Sequence, residues 1–222
     1  MTGLSVRDCY RLWAPDYEAE TAISYLENRL VAAMRVPVAN RNLLDVGCGT
    51  RRRLREARAT LAVGVDLTPE MLACPEGGGA VAAADVRALP FDVASFDVVW
   101  CRLVIGHVRE LAAAYAELSR VCRPGGTVVV TDFHPDAVAV GHRRTFRDAD
   151  GTVREIEHYV HVPRDHETVA AAVGLRLSTR RHGEVGPLVR PFYERAHKLS
   201  AYTEQRGLRI VLALAFRRAG VA

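Results

Sequence analysis

From Asn42 onward, short apolar runs alternate with amphipathic stretches, and that alternation carries the fold. "NLLDVG", "LAVGVDL", "AVAAADV", "FDVVWCRLV" and "GTVVVTDF" are strand-like, and several are too apolar to face water on either side. Strands of that kind belong in a parallel sheet covered by helices on both faces. The stretches between them, "RRRLREARA", "TPEMLAC" and "RELAAAYAELSRVC", have helical character, which predicts a doubly wound α/β sheet. Upstream, "APDYEAETAISYLENRLVAAM" places Ala22, Leu26, Leu30 and Ala33 at helical spacing before Pro37, so residues 1–40 are expected to form a helical lid. The rhythm breaks between His134 and Val162, a segment rich in His and Arg in which "DADG" (Asp148 to Gly151) predicts a hairpin turn. We read residues 134–162 as a cap within one domain spanning 1–222. Beyond it come a helix in "HETVAAAVGL", a strand in "LRLSTRRHG", a polar helix-like stretch from Tyr193 to Tyr202, and a last strand in "LRIVLALAFRR". The final pair suggests an antiparallel strand at the sheet edge.

Composition narrows the classes without choosing among them. A chain of 222 residues, 49% hydrophobic and 25% charged, can bury a substantial core. No apolar run approaches the roughly 18–20 residues that a membrane span needs. The N-terminal "MTGLSVRDCYRLW" lacks a basic start followed by an apolar core, so no signal peptide is expected. Five cysteines lie far apart with no C-x-x-C pair, the pattern of reduced thiols in a cytoplasmic protein. The net charge of +4 is modest, Lys198 is the single lysine, and the arginines are spread along the chain. A nucleic-acid binder would gather its charge on one face or stripe. No nucleic-acid partner is therefore expected; oligomeric state is left open.

Chemistry enters at the first strand. Asp45, Gly47 and Gly49 form D-x-G-x-G at a strand-to-helix turn, where glycines permit tight dihedrals and close approach to a ligand. "AVGVDL" then ends a second strand on Asp66, a carboxylate placed to accept hydrogen bonds from ribose hydroxyls. A dinucleotide dehydrogenase favours G-x-G-x-x-G without the leading acid, and here Arg51 to Arg53 crowd the helix start. Together with "VGVDLTPEML", "AADVRALPFDVASFDVVWCRLVIGHV" and "ELSRVCRPGGTVVVTDF", the motif "LLDVGCGT" resembles the class I S-adenosylmethionine-dependent methyltransferases. The likeness is to their small-molecule branch, which includes the ubiquinone and menaquinone methyltransferases. It covers roughly residues 10–132 well and the remainder loosely.

The resemblance implies S-adenosyl-L-methionine as cofactor and a seven-stranded, mostly parallel sheet with an antiparallel last strand. It implies methyl transfer to a small molecule in specialised metabolism, onto an O-, N- or C-nucleophile. By position, Asp45, Gly47, Cys48 and Gly49 would shape the methionine side of the pocket, Asp66 would hold the ribose, and Leu67 would lie against the adenine. Asp85 and Val86 would meet the adenine edge, Cys101 and Arg102 would line the floor near the methyl group, and Tyr17 in "WAPDYEAE" would close over the cofactor. Helix packing is the other reading of Tyr17, and turn capping that of Asp85.

One position departs from the pattern: the family expects a small residue where Arg51 stands. Either its backbone stays right-handed with the side chain in solvent, which we expect, or the fold serves a non-methylating ligand-binding or pericyclic role. Methyl transfer relies mainly on positioning, with a general base needed when the nucleophile must lose a proton. The candidates for contact with the acceptor are His107, in "VIGHVRE", and His134, in "TDFHPDA", both at the carboxyl edge of the sheet. Packing near a helix start is the competing reading of His107. His158 and His161 sit in a strand-like "REIEHYVHV" on opposite faces, a poor metal pair, and no metal is expected. His142, Arg143 and Arg144 are read either as contacts to an acidic or phenolic acceptor or as a solvated charge run.

Overall fold

The computed structural model describes residues 4–17, 19–74 and 78–220. Its centre is a seven-stranded sheet built from β1 (Asn42–Val46), β2 (Leu61–Asp66), β3 (Ala80–Ala83), β4 (Phe96–Arg102), β5 (Cys122–Phe133), β8 (Leu175–Glu184) and β9 (Arg209–Arg218). The order is β3-β2-β1-β4-β5-β9-β8, with β9 antiparallel to both neighbours. The strand order reverses between β1 and β4, so their carboxyl ends open onto the crevice where such sheets bind ligands. The antiparallel strand is not at the edge: β9 is inserted between β5 and β8. Its Ile210–Phe216 run is buried throughout and would be wasted at an open edge, whereas β8 presents Arg176, Arg180 and Arg181 there.

The helices that cover the sheet are α3 (Arg52–Glu56), α4 (Pro69–Leu72), α5 (Leu111–Val121) and α7 (Pro163–Ala172) on the connections, with α8 (Arg190–Arg195) and α9 (Leu199–Gln205) before β9. The N-terminal segment is two helices, α1 (Val6–Trp13) and α2 (Ala22–Ala33), rather than a continuous one. A capping box at Thr21 and Ser24 starts α2: the Thr21 hydroxyl accepts from Ser24 N at 3.1 Å, and Ser24 Oγ from Thr21 N at 2.9 Å. On α2, Leu26, Glu27 and Val31 are buried, and Ala33 is exposed.

The cap consists of α6 (Pro135–Ala139) and a hairpin of β6 (Thr145–Arg147) and β7 (Val153–Glu155). The expected turn is present: Gly151 takes φ +84°, and the Asp148 carboxylate accepts from Thr152 N at 2.9 Å. Phe146 and Ile156 of the cap pack with Cys9 of α1 in a small core of their own. The N-terminal helix and the 134–162 segment therefore pack against each other. Residues 156–162 run as an irregular segment, and His158 and His161 both turn inward instead of projecting from opposite faces of a strand.

Candidate active site

Below the lid, the turn after β1 is built as its glycines require. Gly47 and Gly49 hold φ of +70° and +56°, and the N–H groups of Gly47 and Cys48 donate to Val65 O at 2.7 and 3.0 Å. A Cβ at Gly47 would meet Val104 Cγ2 at 2.0 Å, and one at Gly49 would meet Met71 Cε at 3.3 Å, so the loop runs flush against its surroundings. At the end of β2, Asp66 accepts from Gly49 N through Oδ2 and from Thr68 N through Oδ1, both at 2.9 Å. Burial pushes its carboxyl above the ordinary value in spite of these two donors. A carboxylate has room for about four hydrogen bonds, so Asp66 keeps acceptor capacity on its cavity side.

A cavity of about 140 Å³ lies against this loop and is walled by Gly47, Gly49, Asp66, Leu67, Asp85 and Val86, with Tyr17 above and His107 beside it. Eight sequence-expected residues thus share one wall. Leu67 offers an apolar face that is 44% exposed. Asp85 lines the cavity and also caps its turn: it accepts from Arg87 N at 2.9 Å, and the Arg87 guanidinium grips both carboxylate oxygens at 2.5–3.2 Å. Those bonds hold its carboxyl below the usual range.

A second cavity, of about 340 Å³, adjoins the first and shares Tyr17, Arg102 and Leu103 with it. Cys48 lines this larger space. Cys101 lines neither, contrary to expectation. On β4 alternate side chains face opposite ways, so Arg102 lies against Trp100 on one face while Cys101 points into the fully buried core on the other.

Asp45 is also withdrawn from both cavities. Fully buried, it pairs with Arg53 Nε at 3.2 Å, and Arg53 Nη2 donates to Gly47 O at the same distance. It shapes the loop by clamping α3 onto it. A second buried pair braces the floor: Arg102 forks onto Glu27 at 2.7 and 2.6 Å, with Asn28 Oδ1 and the Thr131 hydroxyl completing the network. Burial alone would raise the Glu27 carboxyl; the Arg102 guanidinium outweighs it and holds the group below its usual range. Neither Arg53 nor Glu27 was expected from the sequence. The available signal was a charge in the middle of an apolar face, which demands a partner.

The candidate bases fare differently. His107 Nδ1 lies 2.9 Å from Glu157 O and must donate to it, which leaves Nε2 to accept from the Tyr10 hydroxyl at 2.9 Å. Burial, with Arg144 nearby, pushes its pKa down to about 3. His134 does not reach either cavity: it is 2% exposed, its Nδ1 caps α6 by accepting from Asp136 N, and its Nε2 bonds His182. Position at the carboxyl end of β5 was a sound guide to the sheet edge, but the helix that follows needs a cap and takes the side chain. His158 and His166 approach the buried Asp132 at 3.4 and 3.8 Å, behind the cavity wall. Among the described residues no group of three or more His, Cys, Asp or Glu is arranged to hold a metal ion.

Arg51 is the other correction. Its backbone is left-handed at φ +67°, so the turn keeps the geometry of the small residue it replaces, at a steric cost. Its guanidinium is half-buried and donates to Cys74 O, facing α4 rather than solvent, and the residue lines neither cavity.

Residues 44–130 match the family model described as a methyltransferase domain. Over 132 residues the chain is 34% identical to the ubiquinone biosynthesis O-methyltransferase of Methylococcus capsulatus, covering 54% of this chain and 55% of that protein. Over 105 residues it is 40% identical to the demethylmenaquinone methyltransferase of Roseiflexus castenholzii, covering 43% and 44%. The chain thus spans about half the length of these curated relatives. An S-adenosylmethionine-dependent methyltransferase from Mesorhizobium loti superposes with a TM-score of 0.66 at 21% identity, over 87% of this chain and 98% of that one. A solved cyclase shares the fold as well, with a TM-score of 0.69 at 18% identity over 100% and 98%. Residues 44–130 thus match the methyltransferase-domain model, and the chain as a whole shares its fold with the solved S-adenosylmethionine-dependent methyltransferase.

Proposed function

We propose that this chain transfers a methyl group from S-adenosyl-L-methionine to a small-molecule acceptor. The observation that carries the reading is the pair of adjoining cavities: one against the glycine loop and Asp66, the other beneath lid and cap, with Tyr17, Arg102 and Leu103 common to both. The residues present fit the cofactor. Gly47 and Gly49 allow close approach, Asp66 has acceptor capacity for two ribose hydroxyls, Leu67 and Val86 offer apolar faces to the adenine, and Tyr17 lines both cavities. The chemistry supplied there by the bound cofactor is an electrophilic methyl group on sulfur.

What the chain's own residues contribute is positioning and exclusion of water, which suffice for much of the acceleration of an in-line substitution. His107 is a poor proton acceptor at neutral pH, with its Nε2 already engaged, and we assign it to holding Tyr10 instead. The non-methylating alternative rested on Arg51, and that side chain lies outside both cavities. Among the described residues no helix is long and apolar enough to cross a membrane. With five free, scattered cysteines, a cytoplasmic setting and a reduced state are our reading.

The test is calorimetric titration with S-adenosylmethionine and its demethylated product. Micromolar binding is expected, and Asp66→Ala should weaken it by tenfold or more, on the order of two lost hydrogen bonds, in a protein that still folds. Unchanged affinity in a folded Asp66→Ala protein would sink the site assignment.

A further inference from the structure

The larger cavity has an unusual electrostatic make-up. Arg52, Arg53, Arg102, Arg143 and Arg144 line it, and no acidic side chain does among the described residues. Two of these cations are matched inside the protein, Arg102 by Glu27 and Arg53 by Asp45. Arg143 is more than half exposed and stands 3.7 Å from Glu155. Arg144 differs from them all. Among the described residues no carboxylate pairs with it; its Nη2 donates to the neutral Tyr10 hydroxyl at 2.8 Å, and its Nη1 is shut off from solvent with no hydrogen-bond partner. Two residues away, His142 also lines the cavity, and its Nε2 is likewise buried and unpartnered.

Two orphaned nitrogens belong to residues of one short cap segment that line one cavity, a costly arrangement unless a polar partner reaches them. A buried guanidinium with no carboxylate in contact is the more expensive of the two. Arg144 is also held in place. His107 donates to Glu157 O, so it must accept from Tyr10, and the Tyr10 oxygen in turn accepts from Arg144. One of the two terminal nitrogens is thereby engaged, and the other lacks a partner. The rest of the wall includes Trp13, Ile23, Phe133, Tyr193 and Ile210, which suit an apolar or aromatic body.

We propose that the larger cavity takes an acceptor bearing an anionic oxygen group, a carboxylate or a phosphate, on an apolar or aromatic body, and that Arg144 and His142 of the cap hold that group. The assignment of the occupant as acceptor rests on the methyltransferase reading above. Arg144 is a specificity-determining residue here, with the planar fork that suits carboxylate and phosphate oxygens. A solvated charge run, the other sequence reading of "GHRRTF", does not account for nitrogens sealed from water.

The experiment uses the full chain with the demethylated cofactor product bound, and benzoate, phenyl phosphate and neutral benzamide as probes in ligand-observed NMR titrations. At least one anion should bind roughly tenfold or more tightly than benzamide, and Arg144→Gln should remove most of that advantage while leaving benzamide unchanged. A preference for benzoate identifies a carboxylate acceptor, one for phenyl phosphate a phosphate, and comparable binding of both supports the shared chemistry. Benzamide matching both anions in the wild-type protein overturns the proposal and needs no variant. If Arg144→Gln fails to fold, Arg144→Lys serves: it keeps the charge without the fork and should bind the preferred anion more weakly than wild type, and full retention would count against the fork. A loss of affinity for the cofactor product in Arg144→Gln would mean that Arg144 holds the cofactor's own carboxylate, which also overturns the proposal. Cofactor binding without anion preference sinks this inference alone. Anion preference without cofactor binding, measured on the unloaded chain, leaves the anion site standing and sinks the methyltransferase reading.

Discussion

Removal of one partner from the Glu27–Arg102 pair should be among the most damaging changes outside the apolar core. Both side chains are nearly inaccessible, at 1% and 5%, and the two bonds between them are 2.6–2.7 Å long. Glu27→Leu leaves Arg102 buried with Asn28 as its remaining oxygen partner and removes the acceptor of the Thr131 hydroxyl, which keeps only the bond it accepts from Leu103 N. Breaking a buried pair this way costs about 3–5 kcal/mol. For a chain of this size each kcal/mol is worth roughly 2–4 °C, so the melting temperature should fall by roughly 6–20 °C. Arg102→Leu should cost a similar amount because it leaves the carboxylate unpaired. The double variant Glu27→Leu/Arg102→Leu removes both charges and their desolvation together, and it should recover more than half of the summed loss. Because pairing lowers the Glu27 carboxyl below its unfolded value of 4.5, the pair's contribution is in full above that pH and disappears as pH falls through the folded value. The assay is urea unfolding of the four proteins at pH 7, followed by circular dichroism. If the double variant loses the full sum of the singles, the charges are not coupled and the pair is no more than a contact of convenience.

Two further outcomes follow from the same geometry. His107 has a pKa of about 3 when folded against 6.5 when unfolded, so the unfolded chain takes the proton first and stability should decline as pH falls from 6.5 towards 3; the full effect is at most about 5 kcal/mol, less as far as water reaches the half-buried ring. In urea midpoints against pH, His107→Gln should flatten that decline, and an unaltered slope would show the ring to be accessible in solution. At Arg51, with φ +67°, Arg51→Gly should leave cofactor affinity within a few-fold and stability within about 1 kcal/mol, since relief of the left-handed strain offsets the lost bond to Cys74. Arg51→Val should destabilise clearly, because a β-branched residue tolerates that backbone poorly; calorimetry and melting curves on the two variants would expose an error if valine were accepted as readily as glycine.

How much was legible in advance depended on whether the determining interaction was local. The apolar runs, the D-x-G-x-G turn, the carboxylate ending β2 and the "DADG" hairpin are short-range patterns, set by side-chain periodicity and by dihedral needs within a few residues. From these the strands, the glycine loop and the place of Asp66 at the end of β2 followed from sequence, whereas Leu67 came from the family resemblance and the antiparallel strand was expected at the edge. The side chains of Arg51, Cys101 and His134 went elsewhere because competing demands lay outside the local pattern: a carbonyl just past α4, the buried side of a strand, and a helix end that needed a cap. The burial of β9 inside the sheet, the Glu27–Arg102 and Asp45–Arg53 pairs, and the Arg144–Tyr10–His107 chain join residues 8 to 134 positions apart. A one-dimensional pattern records that each charge is present, but the partner that makes its burial affordable is chosen only when the elements pack.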